Sequence, residues 1–174
     1  MPAARFVQQL NAQIGNELAA HNQYLACAIY YDALTMPRMA GFFYRQAEEE
    51  RGHALMMVQY LVDTDESVVV PAVPAPRSTF GDLVEPVQLA LDQERAVTAQ
   101  INGLLRTARE ESDYASEQFL QWFIKEQVEE VATMSDLLAV ATRNRDDVED
   151  IEEYVAREQA DLGADPTAPR QAGA

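Results

Sequence analysis

The chain has 174 residues, 48% of them hydrophobic, with 29 acidic against 13 basic side chains and a formal net charge of -16. That length suits one domain with a core large enough to dispense with disulfides, and the single cysteine, Cys27, cannot form an intrachain bridge. The acidic excess argues against a phosphate-backbone partner such as nucleic acid. The N-terminus lacks a basic region followed by an apolar core, and no apolar run approaches the ~20 residues that span a bilayer, so no membrane partner and a cytoplasmic location are expected.

The first predicted helix runs from about Ala4 to Ala33, with Gly15 as its one interior weak point. Thr35-Met36-Pro37 ends it, with Thr35 suited to a cap and Pro37 to the first turn of a second helix reaching about Asp63. So short a connection makes these two helices antiparallel neighbours. The segment Glu66 to Gly81 contains Pro71, Pro74 and Pro76 and cannot be helical throughout. It reads as a long crossover from one end of a bundle to the other, with Val68–Val70 alternatively a short strand pairing between subunits.

A third helix is predicted from near Asp82 to near Glu111, with Pro86 tolerated in its first turn, and Ser112-Asp113 marks the break. A fourth follows from about Tyr114 to Thr142, where Arg143-Asn144-Arg145 suits the negative end of the helix dipole. Asp146 opens a short amphipathic segment with Val148, Ile151, Tyr154 and Val155 on one side, too short to stand alone. Residues 1–162 thus form one all-α domain, an antiparallel four-helix bundle with one long crossover and a short fifth helix. Residues 163–174 have no apolar anchor and read as a flexible C-terminal tail, either passive or a recognition tag.

Each long helix carries an acid in the seam where a core residue belongs. The seams read Leu10, Ile14, Glu17, His21, Tyr24; then Phe43, Gln46, Glu50, His53, Met57; then Leu91, Glu94, Thr98, Ile101; then Phe123, Gln127, Glu130, Met134. Glu17 precedes Glu50 by 33 residues and His53 by 36, and Glu94 precedes Gln127 and Glu130 by the same intervals. This is the pattern of two related helical hairpins, each supplying one glutamate from its first helix and an i, i+3 pair from its second.

Any one of these glutamates could snorkel or meet an arginine, but no Lys or Arg stands in the four seams. A buried carboxylate without a counter-charge costs several kcal/mol, roughly, so a bound cation is the simplest compensation. Four carboxylates, an amide and an imidazole form a hard, oxygen-rich donor set. It disfavours structural zinc, His53 argues against calcium, and iron or manganese fits.

Glu17, Glu50-Arg51-Gly52-His53, Glu94 and Gln127-Val128-Glu129-Glu130 closely resemble the ferroxidase centre of the non-haem bacterial ferritins, a likeness running from about Phe6 to Arg157. The resemblance implies that Glu17, Glu50 and His53 bind one iron and that Glu50 bridges to a second, held by Glu94 and Glu130 with Gln127 beside it. It implies further that Tyr24 and Trp122 lie close to the centre, and that Glu49, Glu126 and Glu129 form a third iron site; on pattern alone those three are charged residues flanking the seam. The implied activity is oxidation of ferrous iron by oxygen or peroxide, with storage as a ferric mineral inside a hollow homo-oligomeric shell of two dozen chains. The acidic excess is then either solvated surface or patches that draw ferrous ions toward pores. A bacterioferritin would place a haem-ligating methionine where this chain has Arg51 and a histidine where it has Glu130, so no haem is expected.

His21 reads as a hydrogen-bonded core histidine and Cys27 as a small core residue. Two rivals stand beside ferroxidation: a non-enzymatic helical oligomer or metal buffer, and a small di-iron oxidase or peroxidase related to rubrerythrins. The lack of a rubredoxin-like cysteine pair weakens the second.

Overall fold

The computed structural model describes residues 1–158 and 165–173. It contains α1 (Ala4–Ala33), α2 (Pro37–Asp63), α3 (Glu85–Glu110), α4 (Tyr114–Arg143) and α5 (Val148–Glu158), and no strand among the described residues. α1 packs chiefly on α2 and α3 on α4; α1 also meets α3, and α5 lies against α2 and α4. The expected all-α bundle with one long crossover is what forms. No described helix is long and apolar enough to cross a membrane.

α1, α2 and α3 end alike. Thr35, Asp65 and Ser112 have φ near 60°, and the residue after each donates to a carbonyl five positions back, as in Met36 N to Tyr31 O at 3.0 Å. This is the left-handed C-terminal motif that usually employs glycine. Thr35 therefore closes α1 and does not cap α2, as its hydroxyl had suggested. The first free donors of α2 are met from far along the chain: Arg38 N and Met39 N each reach the Glu152 carboxylate of α5 at 2.8 Å. α3 starts at Glu85, not Asp82, because Asp82 turns its Oδ1 onto the amides of Val84 (2.9 Å) and Glu85 (3.0 Å) and stays outside the helix. Those bonds also hold its carboxyl below the ordinary range.

The crossover runs along α1. Asn11 bonds Ser67 O (3.0 Å) and Val69 N (2.6 Å), Gln23 exchanges two bonds with the Arg77 main chain (2.8 and 2.9 Å), and Tyr31 reaches Leu83 O at 2.6 Å. Gly15 explains itself here: a Cβ would stand 2.5 Å from Pro71 Cγ. Among the described residues Val68–Val70 forms no strand and pairs with none.

The core divides into two apolar clusters. One gathers Tyr24, Phe43, Met134 and Leu137 with Ile151 and Val155 of α5; the other gathers Leu10, Ile14, Met57, Ile101, Leu120 and Phe123. Along every long helix the seam acids fall between them. Of the expected flexible tail, Gly163, Ala164 and Ala174 lie outside the described residues. Residues 165–173 lie against α2 and α4: Trp122 Nε1 donates to Asp165 (3.1 Å), Arg170 meets Asp63 (3.2 Å) and Ala172 N donates to Leu55 O (3.1 Å).

Candidate metal centre

Glu17, Glu50, His53, Glu94, Gln127 and Glu130 are all buried, none more than 6% exposed. Helical periodicity brings them to one layer, since each lies three or four residues from apolar seam neighbours of the same helix. Glu17, Glu50 and His53 each place a ligand atom within 4.8 Å of the other two, the only such group of three or more acidic, histidine or cysteine side chains among the described residues. His53 Nδ1 stands 3.3 Å from Glu50 Oε2.

On the α3–α4 side, Glu94 accepts a short hydrogen bond from the Tyr24 hydroxyl and another from Gln127 Nε2 at 3.3 Å. Gln127 Oε1 accepts from Thr98 Oγ1 at 2.9 Å. Trp122 sets its ring edge-on to His53, with centroids 5.5 Å apart.

Among the described residues no Lys or Arg pairs with any of the four buried carboxylates. Burial raises the Glu50 carboxyl well above the ordinary range, and the charges of Glu94 and Glu17 add to it. Burial likewise raises Glu130 well above that range, helped by Glu94, Glu49 and Glu126. Glu94 is also raised by burial, against the pull of its bond from Tyr24. The Tyr24 hydroxyl, buried beside these acids, is held firmly protonated. Glu50, Glu94 and Glu130 thus hold their protons more tightly than free carboxyls do, and a divalent ion would compete with those protons.

The donor set fits a hard divalent transition ion. Carboxylate oxygens dominate, one imidazole joins them, and Glu17 Oε2 is buried with no hydrogen-bond partner. The three flanking acids are gathered less tightly. Glu49 and Glu129 are exposed, Glu49 accepts from Gln46, and Glu129 stands 3.6 Å from Lys125. Glu126 is half-buried, its carboxyl raised first by burial and then by Glu129 and Glu49, with His53 opposing.

His21 stays outside the group, its Nδ1 on the Ala47 carbonyl at 2.7 Å. Burial pushes the Cys27 thiol up to about 11, as for a small core residue. Gln13, which bonds Glu17, and Thr98, which bonds Gln127, are not among the expected site residues. The available signal was a polar side chain one helical turn from a seam acid.

The ferritin-like domain family matches residues 7–144. Ferritin BfrB of Mycolicibacterium smegmatis is 48% identical over 97% of this chain and 93% of its own. A bacterial non-heme ferritin of Staphylococcus epidermidis is 35% identical over 84% of this chain and 89% of its own. Among solved structures, an open-pore ferritin from Archaeoglobus fulgidus superposes with a TM-score of 0.87 at 27% identity, covering 92% of this chain and 99% of that one. With its helical order, its acid layer and these relatives, the chain belongs to the ferritin family of iron-storage proteins.

Proposed function

We propose that this ferritin is a ferroxidase: it oxidises ferrous iron at a two-ion centre within the bundle and releases ferric iron to a mineral inside a hollow shell of 24 copies, in the cytoplasm. The observation that carries this is the buried layer of four carboxylates and one imidazole that, among the described residues, no Lys or Arg neutralises. Glu17, Glu50 and His53 take one ferrous ion, and Glu50 reaches across to a second held by Glu94 and Glu130. Gln127 flanks the second position, and Tyr24 steadies Glu94. Glu49, Glu126 and Glu129 take a third ion on its way out.

Two ferrous substrate ions supply two electrons, which with two protons reduce dioxygen to hydrogen peroxide; peroxide itself is a two-electron oxidant for the same pair. Anionic oxygen donors stabilise the ferric product over the ferrous substrate. An amide at Gln127 binds more weakly than a carboxylate, so the second ion is the looser one and the first to be passed on.

Glu130→Ala is expected to leave one tight iron per chain and to abolish fast oxidation, read by anaerobic iron titration and by oxygen consumption. Two tight irons surviving the change would contradict the assignment. A metal buffer would bind iron without accelerated oxygen uptake. Size-exclusion mass and electron microscopy of the iron-loaded protein test the shell and the mineral together, and a Soret band that copurifies would overturn the haem-free reading.

A further inference from the structure

Gln13 lies one helical turn before Glu17 and is 2% exposed. Its Nε2 donates to Glu17 Oε1 at 2.8 Å and to Gln100 Oε1 of α3 at 3.1 Å, while its Oε1 accepts from Asn16 Nδ2 at 3.0 Å. Both amide hydrogens and the carbonyl are engaged, and the amide cannot be turned round. Reversed, its carbonyl would face the Glu17 carboxylate and its NH2 would face that of Asn16. The other oxygen of Glu17, Oε2, is buried and has no partner.

We propose that Gln13 is a positioning residue for the first metal position, occupying Oε1 so that Glu17 meets the ion through Oε2 alone. The inference rests on the two-ion reading above. A carboxylate with both oxygens free can move between one-oxygen and two-oxygen coordination; here the second mode requires breaking a buried hydrogen bond. Because Gln100 belongs to α3, the same amide ties the setting of Glu17 to the contact between α1 and α3.

The test uses the assembled, metal-free protein titrated with cobalt(II), followed by calorimetry and by the visible absorption of the bound ion. The first position is identified as the one that Glu17→Ala abolishes. Gln13→Met keeps the length and removes the hydrogen bonds. It is expected to weaken cobalt at the first position by about tenfold or more, within the usual effect of groups that orient metal ligands. The second position should move by less than about twofold, and the visible band should lose intensity as Glu17 contributes both oxygens and the coordination number rises.

Asn16→Ala removes only the donor to the Gln13 carbonyl and is expected to give the same spectral change with a smaller loss of affinity. An unchanged band and affinity in Gln13→Met overturns the proposal, as does an equal loss at both positions accompanied by a lower melting temperature. If Gln13→Met does not assemble, an unchanged band in Asn16→Ala overturns it. Parent protein that binds fewer than two cobalt ions per chain would sink the two-ion reading itself, a separate result.

Discussion

In the hairpin of α1 and α2, Glu17, Glu50 and His53 bring three ligand atoms within 4.8 Å and leave Glu17 Oε2 without a partner. In the hairpin of α3 and α4, the corresponding Glu94 and Gln127 are engaged by Tyr24, Thr98 and each other, and a glutamate stands where the first half has its histidine. The spacing is the same in both halves, so the difference lies in what each side chain is given to hold. The first half keeps one buried carboxylate oxygen without a hydrogen bond. In the second, Glu94 and Gln127 are already bonded to neighbours, so on the two-ion reading they must exchange hydrogen bonds for metal bonds.

That contrast is most exposed to substitution at the matched pair Glu50 and Gln127. Glu50→Ala is expected to abolish tight binding of both ions and to slow ferrous oxidation by about a hundredfold or more. Gln127→Ala is expected to cost about tenfold at the second ion only. Stopped-flow oxidation and anaerobic titration measure both, and equal losses would erase the distinction between the halves.

A smaller effect appears in stability. The Glu50 carboxyl is raised well above its ordinary value of 4.5 in the folded chain. Below about pH 4.5 it is protonated whether the chain is folded or not, and its burial adds no ionisation penalty. As pH rises through the raised native value, the unfolded chain has already released the proton and the folded state is progressively disfavoured. Metal-free Glu50→Gln should therefore melt higher than its parent at neutral pH, with the gap closing toward pH 4.5. Saturating manganese should reverse the order at neutral pH. A gap that does not change with pH would remove the carboxyl as its cause.

The halves also differ in their glycines. Gly15 of α1 faces Pro71 of the crossover, whereas a Cβ at Gly103 of α3 meets nothing within 4 Å. Gly103→Ala should stabilise by about 0.5–1 kcal/mol, the usual helical preference. Gly15→Ala should lose about 1–2 kcal/mol, because overpacking outweighs the same preference. Thermal melts that moved in the same direction would show the crossover yielding at Pro71.

The four seams and their acids were legible because helical periodicity is local and a charged residue in an apolar stripe is conspicuous. Glu50 and His53 could be placed together from their i, i+3 spacing; Glu17 joined them only through the resemblance to the ferritin centre. The hydrogen bonds that distinguish the halves were harder to see. Thr98 sits in the seam as an ordinary small residue, and Gln13 resembles any polar residue beside it; only the packing of α1 on α3 and of α3 on α4 gives them partners. Thr35 reads as a cap from its hydroxyl, but it holds a left-handed backbone that is usually the province of glycine. The carboxylate that does the capping lies more than a hundred positions away, beyond any local pattern.

That distant carboxylate bears on how the chain matures. Pro37 brings no amide hydrogen to the first turn of α2, and the next two donors wait for Glu152. During synthesis the start of α2 leaves the ribosome long before α5 exists, so water must serve those donors in the interim. These two donors gain their protein acceptor only once residue 152 has emerged and docked, so a nascent chain interrupted before that point leaves them to water however complete its four-helix core.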